Sequence, residues 1–409
     1  MTKDVQELAR RLAELGRITD EPGRLTRTFL SPAMARSNRR VARWMRAAGL
    51  AVRFDPVGNV IGTTARRGTR AGRRTLLLGS HLDTVRDAGI FDGALGVLLP
   101  LTALEVLRRR CVRLPFDVEV IGFSEEEGVR FSSAYLGSEG YAGRLTPRRL
   151  CVTDANGITA GEALRRFNGG RFFPPRAAHR AADLLGYVEV HLEQGPVLES
   201  KGMPVGVVSA IAGQSRFQLT WSGRAGHAGT TPMALRRDAL AGAAEFILAA
   251  ERLARATRGL VATVGVCGAG PGAANVIAGR AVHTLDVRHE RDAARLSAVR
   301  RLRATAAGIA RRRGLRVKIA AVQDNPAVPC DPALSGALAR GVAAVQGSDV
   351  RLVSGAGHDA VVLSALTPVA MLFVRCREGL SHHPREHVST ADLAVALRVL
   401  VRFLGEFHG

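Results

Sequence analysis

Three short apolar runs in this chain each close on side chains that bind protons or metals, and this repetition restricts the fold more than any other feature of the sequence. Residues 75–78 lead into Gly79-Ser80-His81-Leu82-Asp83-Thr84, residues 118–123 into Ser124-Glu125-Glu126-Glu127, and residues 186–190 into His191-Leu192-Glu193-Gln194-Gly195-Pro196. Short apolar runs bounded by turn formers read as buried parallel strands. Open α/β sheets take ligands beyond the carboxyl ends of such strands, so the three reactive clusters are expected along one edge of one α/β sheet.

The chemistry of each cluster points to metal. In a loop, Asp83 lies where a carboxylate accepts the second ring N–H of a metal-bound His81 and fixes its tautomer. Asp92 would be a separate oxygen ligand, the plainer alternative being a cap for the helix that starts near Gly93. Successive carboxylates at 125–127 raise one another's pKa unless a cation sits among them. One of Glu126 and Glu127 would then ligate, and the other, aimed at a water, would act as general base. His191 closes another run, with Glu193 or Gln194 placed to orient it or to reach a substrate. Gly379-Leu380-Ser381-His382-His383-Pro384 follows the β-like residues 371–374 and makes His382 or His383 the third such histidine. Taken with His382, the set has five N/O ligands and no cysteine, which suits two divalent cations sharing a carboxylate. A single metal with bystander residues is the alternative.

At 409 residues and 46% hydrophobic, the chain can bury a large core in two or three domains. Its formal charge of +22 would ordinarily suggest nucleic acid or an acidic membrane surface. Lys3, Lys201 and Lys318 are the only lysines, however, and the arginines are spread over the whole length among acids. With 5% aromatics and no recognised nucleic-acid module, there is little to stack bases on. Neither a nucleic acid nor a membrane is expected as a partner: the apolar run 97–104 holds Pro100 and is far short of the ~20 residues a span needs. Cys111, Cys151, Cys267, Cys330 and Cys376 are scattered without a Cys-x-x-Cys pair and fit a reduced, cytoplasmic setting.

Spacing predicts helices over 5–15 and 34–48, the second announced by Ser31-Pro32, and short strands over 52–55 and 59–64. A helix follows over 94–107, with Arg108-Arg109-Arg110 where its dipole favours cations. Residues 151–183 read as a long loop punctuated by Gly169-Gly170 and Pro174-Pro175. From 213 to 326 the pattern changes to strand 217–222, helix 235–256, strands 261–266 and 281–288, helix 292–312 and strand 316–321. This β-α-β-β-α-β order is ferredoxin-like and reads as an insertion. Helix 333–344, strand 368–374 and helix 391–407 then return to the first domain, which spans 1–212 and 327–409.

These motifs resemble, nearly end to end, the amidase, hydantoinase/carbamoylase family of the di-metal aminoacylase and carboxypeptidase clan. The resemblance implies a three-layer αβα catalytic domain of exopeptidase type, interrupted by a ferredoxin-like dimerisation or lid domain. It implies His81, Asp92 (bridging), Glu127, His191 and His382 as metal ligands, Glu126 as the base and Asp83 as the orienting acid. The cofactor would be two divalent ions per subunit, zinc or manganese, with cobalt or nickel as alternatives. For substrate it implies Gln194, His227 in Gly226-His227-Ala228-Gly229-Thr230-Thr231-Pro232-Met233, Asn275 in Pro271-Gly272-Ala273-Ala274-Asn275-Val276-Ile277, and Arg288 in Thr284-Leu285-Asp286-Val287-Arg288. Gly357 and His358 of Ser354-Gly355-Ala356-Gly357-His358-Asp359 and, more weakly, Arg216 complete that set. The expected activity is cleavage of a ureido or carbamoyl C–N bond of an acyclic ureido acid, allantoate first, with N-carbamoyl-L-amino acid hydrolase or β-ureidopropionase as the alternative. A homodimer, with His227 serving the neighbouring subunit, is expected. An inactive or nucleic-acid-binding protein is the competing class.

Overall fold

A computed structural model describes residues 1–64 and 73–408 of the chain. Two compact units emerge, one formed by residues 1–209 with 330–409 and the other by 210–329.

The first unit is built on a mixed sheet. Strands Asp117–Phe123, Thr75–His81, Leu184–Leu192 and Val369–Val374 lie side by side and parallel. Antiparallel strands flank them: Val60–Thr63 and then Ala51–Phe54 on one side, and Val205–Ile211 on the other. Val205–Ile211 is a strand that the spacing argument leaves unassigned. Alternation along Leu184–Leu192 divides the two faces. Val188, Val190 and Leu192 enter the main core, which also holds residues of helices Thr2–Gly16, Pro32–Ala47, Ala94–Arg109, Pro332–Gln346 and Thr390–Glu406. Glu189 and His191 turn to the opposite face, where the N–H of Ala360 in the short helix Asp359–Leu363 bonds Glu189 at 3.0 Å.

Local signals account for several helix starts. Ser31, Thr159, Asp331 and Ser389 each accept a backbone N–H of the first turn through the side chain, a cap worth about 1 kcal/mol. Ala94–Arg109 is buried from Ala94 to Leu107 and packs on the Thr75–His81 and Leu184–Leu192 strands. Each fully buried Leu or Val there contributes roughly 1.5–3 kcal/mol. The long loop expected over 151–183 contains helix Ala160–Phe167, capped by Thr159. Its Ala160, Ala163 and Leu164 join Phe29, Val57 and Phe131 in a second small core, a contact between distant segments that the Gly and Pro pairs conceal.

The second unit is an antiparallel sheet in the order Cys267–Gly270, Arg280–His289, Gly213–Ser222, Arg316–Asn325, with Val261–Thr263 also on Arg280–His289. Helices Ala239–Arg255 and Asp292–Arg312 pack on it and bury Phe217, Leu219, Trp221, Phe246, Leu285 and Leu302. The β-α-β-β-α-β order is the expected one. The first helix begins later than its spacing suggests: Asp238 caps it at Leu240 and Ala241, and Met233–Leu235 forms a separate short turn.

Candidate metal centre

The parallel strands deliver the reactive groups along one edge. His81 is the last residue of its own strand, not a loop residue as its Gly-Ser prefix suggests, and His191 is the last but one of its strand. Glu126 and Glu127 follow Phe123, and His382 lies in the segment after Val374. His81, His191, His382 and Glu127 converge on Asp92, immediately ahead of helix Ala94–Arg109, and Glu126 lies with His81 and Glu127. Asp92 Oδ1 is 3.1 Å from His191 Nε2 and 3.6 Å from His81 Nε2. Its Oδ2 is 3.3 Å from His382 Nε2, which in turn lies 3.7 Å from Glu127. The two oxygens of one carboxylate thus face different histidines. Gly93 permits this approach, since a Cβ there would stand 2.5 Å from the His81 ring, and its φ of +66° favours glycine.

Asp83 orients more than a ring. Its carboxylate accepts the N–H groups of Glu126 and Glu127 at 3.0 and 3.1 Å, and so sets the position of both glutamates. His81 Nδ1 is closer to the Asp83 carbonyl, at 3.0 Å, than to the carboxylate, at 3.4 Å. Glu125 takes no part in the centre: it accepts from Gly128 and Leu136 and ties the loop to itself.

The charges explain what this arrangement lacks. Burial drives Glu126 upward, His81 opposes that and Glu127 adds to it, leaving its carboxyl well above the usual range. Glu127 is pushed up to about 7 by burial and by Asp92. The Asp92 contact holds His382 up at about 9. Burial also weighs on Asp92 itself, but His191, His382 and His81 outweigh it and hold the carboxyl well below its ordinary value. An acid-rich, buried pocket of this kind is costly without cations.

The donor set fits them. Asp92 Oδ1 and His191 Nε2 are buried and make no hydrogen bond although 3.1 Å apart. Among the described residues, His81, Asp92 and His191 present ligand atoms within 4.8 Å of one another, as do Asp92, Glu127 and His382. A third group joins Glu126 to His81 and Glu127. Nitrogen and oxygen donors sharing Asp92 are the chemistry of a two-metal hydrolase.

Residues 77–406 match the model of peptidase family M20/M25/M40. The chain belongs to that family. It is 41% identical over 430 residues to an allantoate deiminase of Arabidopsis thaliana, covering 97% of this chain and 81% of that one. An N-carbamoyl-L-amino acid amidohydrolase of Geobacillus stearothermophilus is 38% identical, over 97% of this chain and 96% of that one. Among solved structures, a hydantoinase/carbamoylase family amidase of Burkholderia multivorans superposes with a TM-score of 0.91 at 33% identity, covering 98% and 97% of the two chains. This M20 chain is accordingly a metal-dependent amidohydrolase acting on C–N bonds outside peptides.

The residues expected to meet substrate fall into two sets. Gln194 joins the M20 centre directly, its Nε2 3.1 Å from Asp92 Oδ2 and 3.3 Å from His382 Nε2. His358 stacks edge-on to His191 with ring centroids 4.4 Å apart, and its Nε2 meets Ser354 Oγ at 2.8 Å. Gly357 is held against the Tyr135 hydroxyl, where a Cβ would collide. Arg216, His227, Asn275 and Arg288 belong to the inserted unit. There the Ala228 N–H bonds the Asn275 carbonyl at 2.9 Å, and His227 Nδ1 accepts from Gly229 and Thr230. Arg288 grips Asp286 at two points, 3.0 and 2.9 Å, and Arg216 and Gln214 reach the same carboxylate at 2.8 and 2.7 Å.

Sequence reasoning misses Ser381 and Glu386. Ser381 Oγ lies 2.9 Å from both Asp92 Oδ2 and Glu386 Oε2, and Glu386 Oε1 accepts the Phe91 and Asp92 N–H groups at 2.9 and 3.0 Å. Glu386 thereby ties the Asp92 loop to the His382 segment. Its only sequence signal is a carboxylate four residues after His382. Gln194 and His382 themselves sit at φ of 56° and 55°, a backbone region that costs about 1–3 kcal/mol outside glycine and is tolerated where surroundings enforce it.

Proposed function

We propose that the enzyme hydrolyses the ureido C–N bond of an acyclic ureido acid, with allantoate as the preferred substrate and an N-carbamoyl-L-amino acid as the second reading. The observation that carries the reaction is the convergence of His81, His191, His382 and Glu127 on the two oxygens of Asp92. Held by these five residues, two divalent ions, zinc or manganese, would supply Lewis acidity toward the scissile carbonyl and lower the pKa of a water toward ~7. Glu126 takes the proton from the attacking water and returns it to the leaving nitrogen as the C–N bond breaks. Its upward shift suits both halves of that transfer. Asp83 holds the Glu126 N–H and so aims the base.

The inserted unit carries a polar cluster of its own suited to a ureido acid. Arg288 and Arg216 present guanidinium groups of the kind that grip a substrate carboxylate at two points, as Arg288 does Asp286. Gln214 and Arg216 beside it favour a polar arm, as a second ureido group has, over an apolar side chain. The Arabidopsis relative is named for allantoate and the Geobacillus relative for N-carbamoyl-L-amino acids, so the choice needs measurement. Ammonia and amino-acid release would be followed on allantoate, N-carbamoyl-methionine and N-carbamoyl-β-alanine. Allantoate is expected to lead in kcat/KM, and a tenfold preference for either carbamoyl compound, about 1.4 kcal/mol, would overturn the assignment.

The same reading makes the inserted unit a pairing surface for a second copy of the chain. His227 is exposed at the end of the short strand Gly226–His227, which pairs with Val276–Ile277, and the following segment carries Met233 and Leu235, 77% and 73% exposed, apolar groups that association would cover. On this reading His227 serves the neighbour's centre. Mixed His227→Ala and Glu126→Gln subunits, each inactive alone, should regain part of the wild-type rate. No recovery after subunit exchange, or a fully active monomer, would refute it.

A further inference from the structure

Helix Pro32–Ala47 carries two adjoining clefts on its outer surface, both within the first unit. One has a volume of about 350 Å³ and is walled by Leu30, Met34, Ala35, Phe54 and Phe167. Phe54 and Phe167 remain 45% and 46% exposed there. The other, about 260 Å³, is lined by Ile18, Arg36, Arg39, Arg40 and Arg43. Those arginines recur at the spacing that puts side chains on one helical face, where like charges repel. Arg40 reaches Glu14 at 2.8 Å and Arg36 donates to the Thr19 carbonyl at 2.9 Å. Arg39 and Arg43 have no acidic or hydrogen-bonding partner among the described residues. The clefts meet at Arg39, which lines both. Asn38, on the wall of the apolar cleft, is 6% exposed, donates to the Gly58 carbonyl at 2.7 Å and leaves its Oδ1 without a partner.

We propose that this composite cleft binds a nucleotide, with the base against Phe54 and Phe167 and the phosphates on Arg39, Arg43 and their neighbours. Aromatic faces stack on any base, and guanidinium forks match phosphate oxygens at two points. An inorganic polyphosphate would leave both rings uncovered. The cleft is distinct from the metal centre, yet its lining includes Ser124. That residue gives its N–H to Asn59 Oδ1 at 2.8 Å and its hydroxyl to the Val57 carbonyl at 2.7 Å, at the start of the loop carrying Glu126 and Glu127. A bound nucleotide would therefore touch the root of the catalytic loop.

The test is calorimetric titration of the metal-loaded, full-length protein with magnesium complexes of ADP, GDP and UDP, beside pyrophosphate and the nucleosides, at about 0.15 M salt. At least one nucleotide is expected to bind about tenfold or more tighter than pyrophosphate or its own nucleoside. Phe167→Ala, or Ala35→Trp filling the cleft from the helix surface, should weaken that nucleotide about tenfold and leave pyrophosphate unchanged. Joint Arg39→Ala and Arg43→Ala should remove both, with thermal melting confirming that each variant is folded. The proposal fails if no nucleotide binds. It fails equally if nucleotide and pyrophosphate bind alike and neither cleft variant discriminates between them, for the arginine face then gathers anions without reading a base.

Discussion

Glu126→Gln is expected to lower kcat by about 10²–10⁴-fold, the range a positioned acid–base group contributes, while the protein keeps its full metal content. The amide preserves the shape of the side chain and leaves the N–H contact to Asp83, which is made by the backbone, in place. It cannot carry the proton from water to the leaving nitrogen. Thermal stability should stay close to wild type, because the amide replaces the buried carboxyl with a group of the same shape. Steady-state rates, metal analysis and thermal melting together check this. A variant within threefold of the wild-type kcat would move the base elsewhere, with Glu127 next in line.

Asp92→Ala should be more damaging still, because it removes one partner from each of the two ligand groups. Outer partners of metal ligands are worth about 10–100-fold in affinity or activity, and Asp92 faces His81, His191 and His382 directly, so the loss should exceed that range. Metal analysis should find less than one ion per subunit at concentrations that saturate the wild type. Asp92→Asn is the sharper probe. It retains an oxygen of similar shape without the charge that the three histidines draw well below the carboxylate range. Retention of two ions by the asparagine variant would mean that charge on the bridge is dispensable.

The sequence makes legible those parts of the centre that stand close to a strong local pattern. His81 and His191 close apolar runs, and Glu126 and Glu127 follow one, so a period-and-boundary argument reaches them. The inserted unit is legible for the same reason: its strands alternate cleanly, as in Gly213–Ser222, where Phe217, Leu219 and Trp221 point inward. Glu386 is not legible, because its two backbone partners lie some three hundred residues away in the chain and no local pattern predicts such a contact. The left-handed backbone of Gln194 and His382 is equally hidden, since neither residue type advertises it. Val205–Ile211 escapes because it enters the sheet antiparallel beside Val369–Val374, against the direction of the strands that carry the chemistry.

The tie from Glu386 and Ser381 back to Phe91 and Asp92 also orders events during synthesis. His81, Asp92 and His191 leave the ribosome together with the strands that hold them, whereas His382 follows about 190 residues later, on the order of 10–40 s at common elongation rates. During that interval the nascent chain holds His81, Asp92 and His191 together with two members of the second trio, Asp92 and Glu127, while the inserted unit is being made. The group that contains His382 can be assembled only once this last segment has docked on the Asp92 loop.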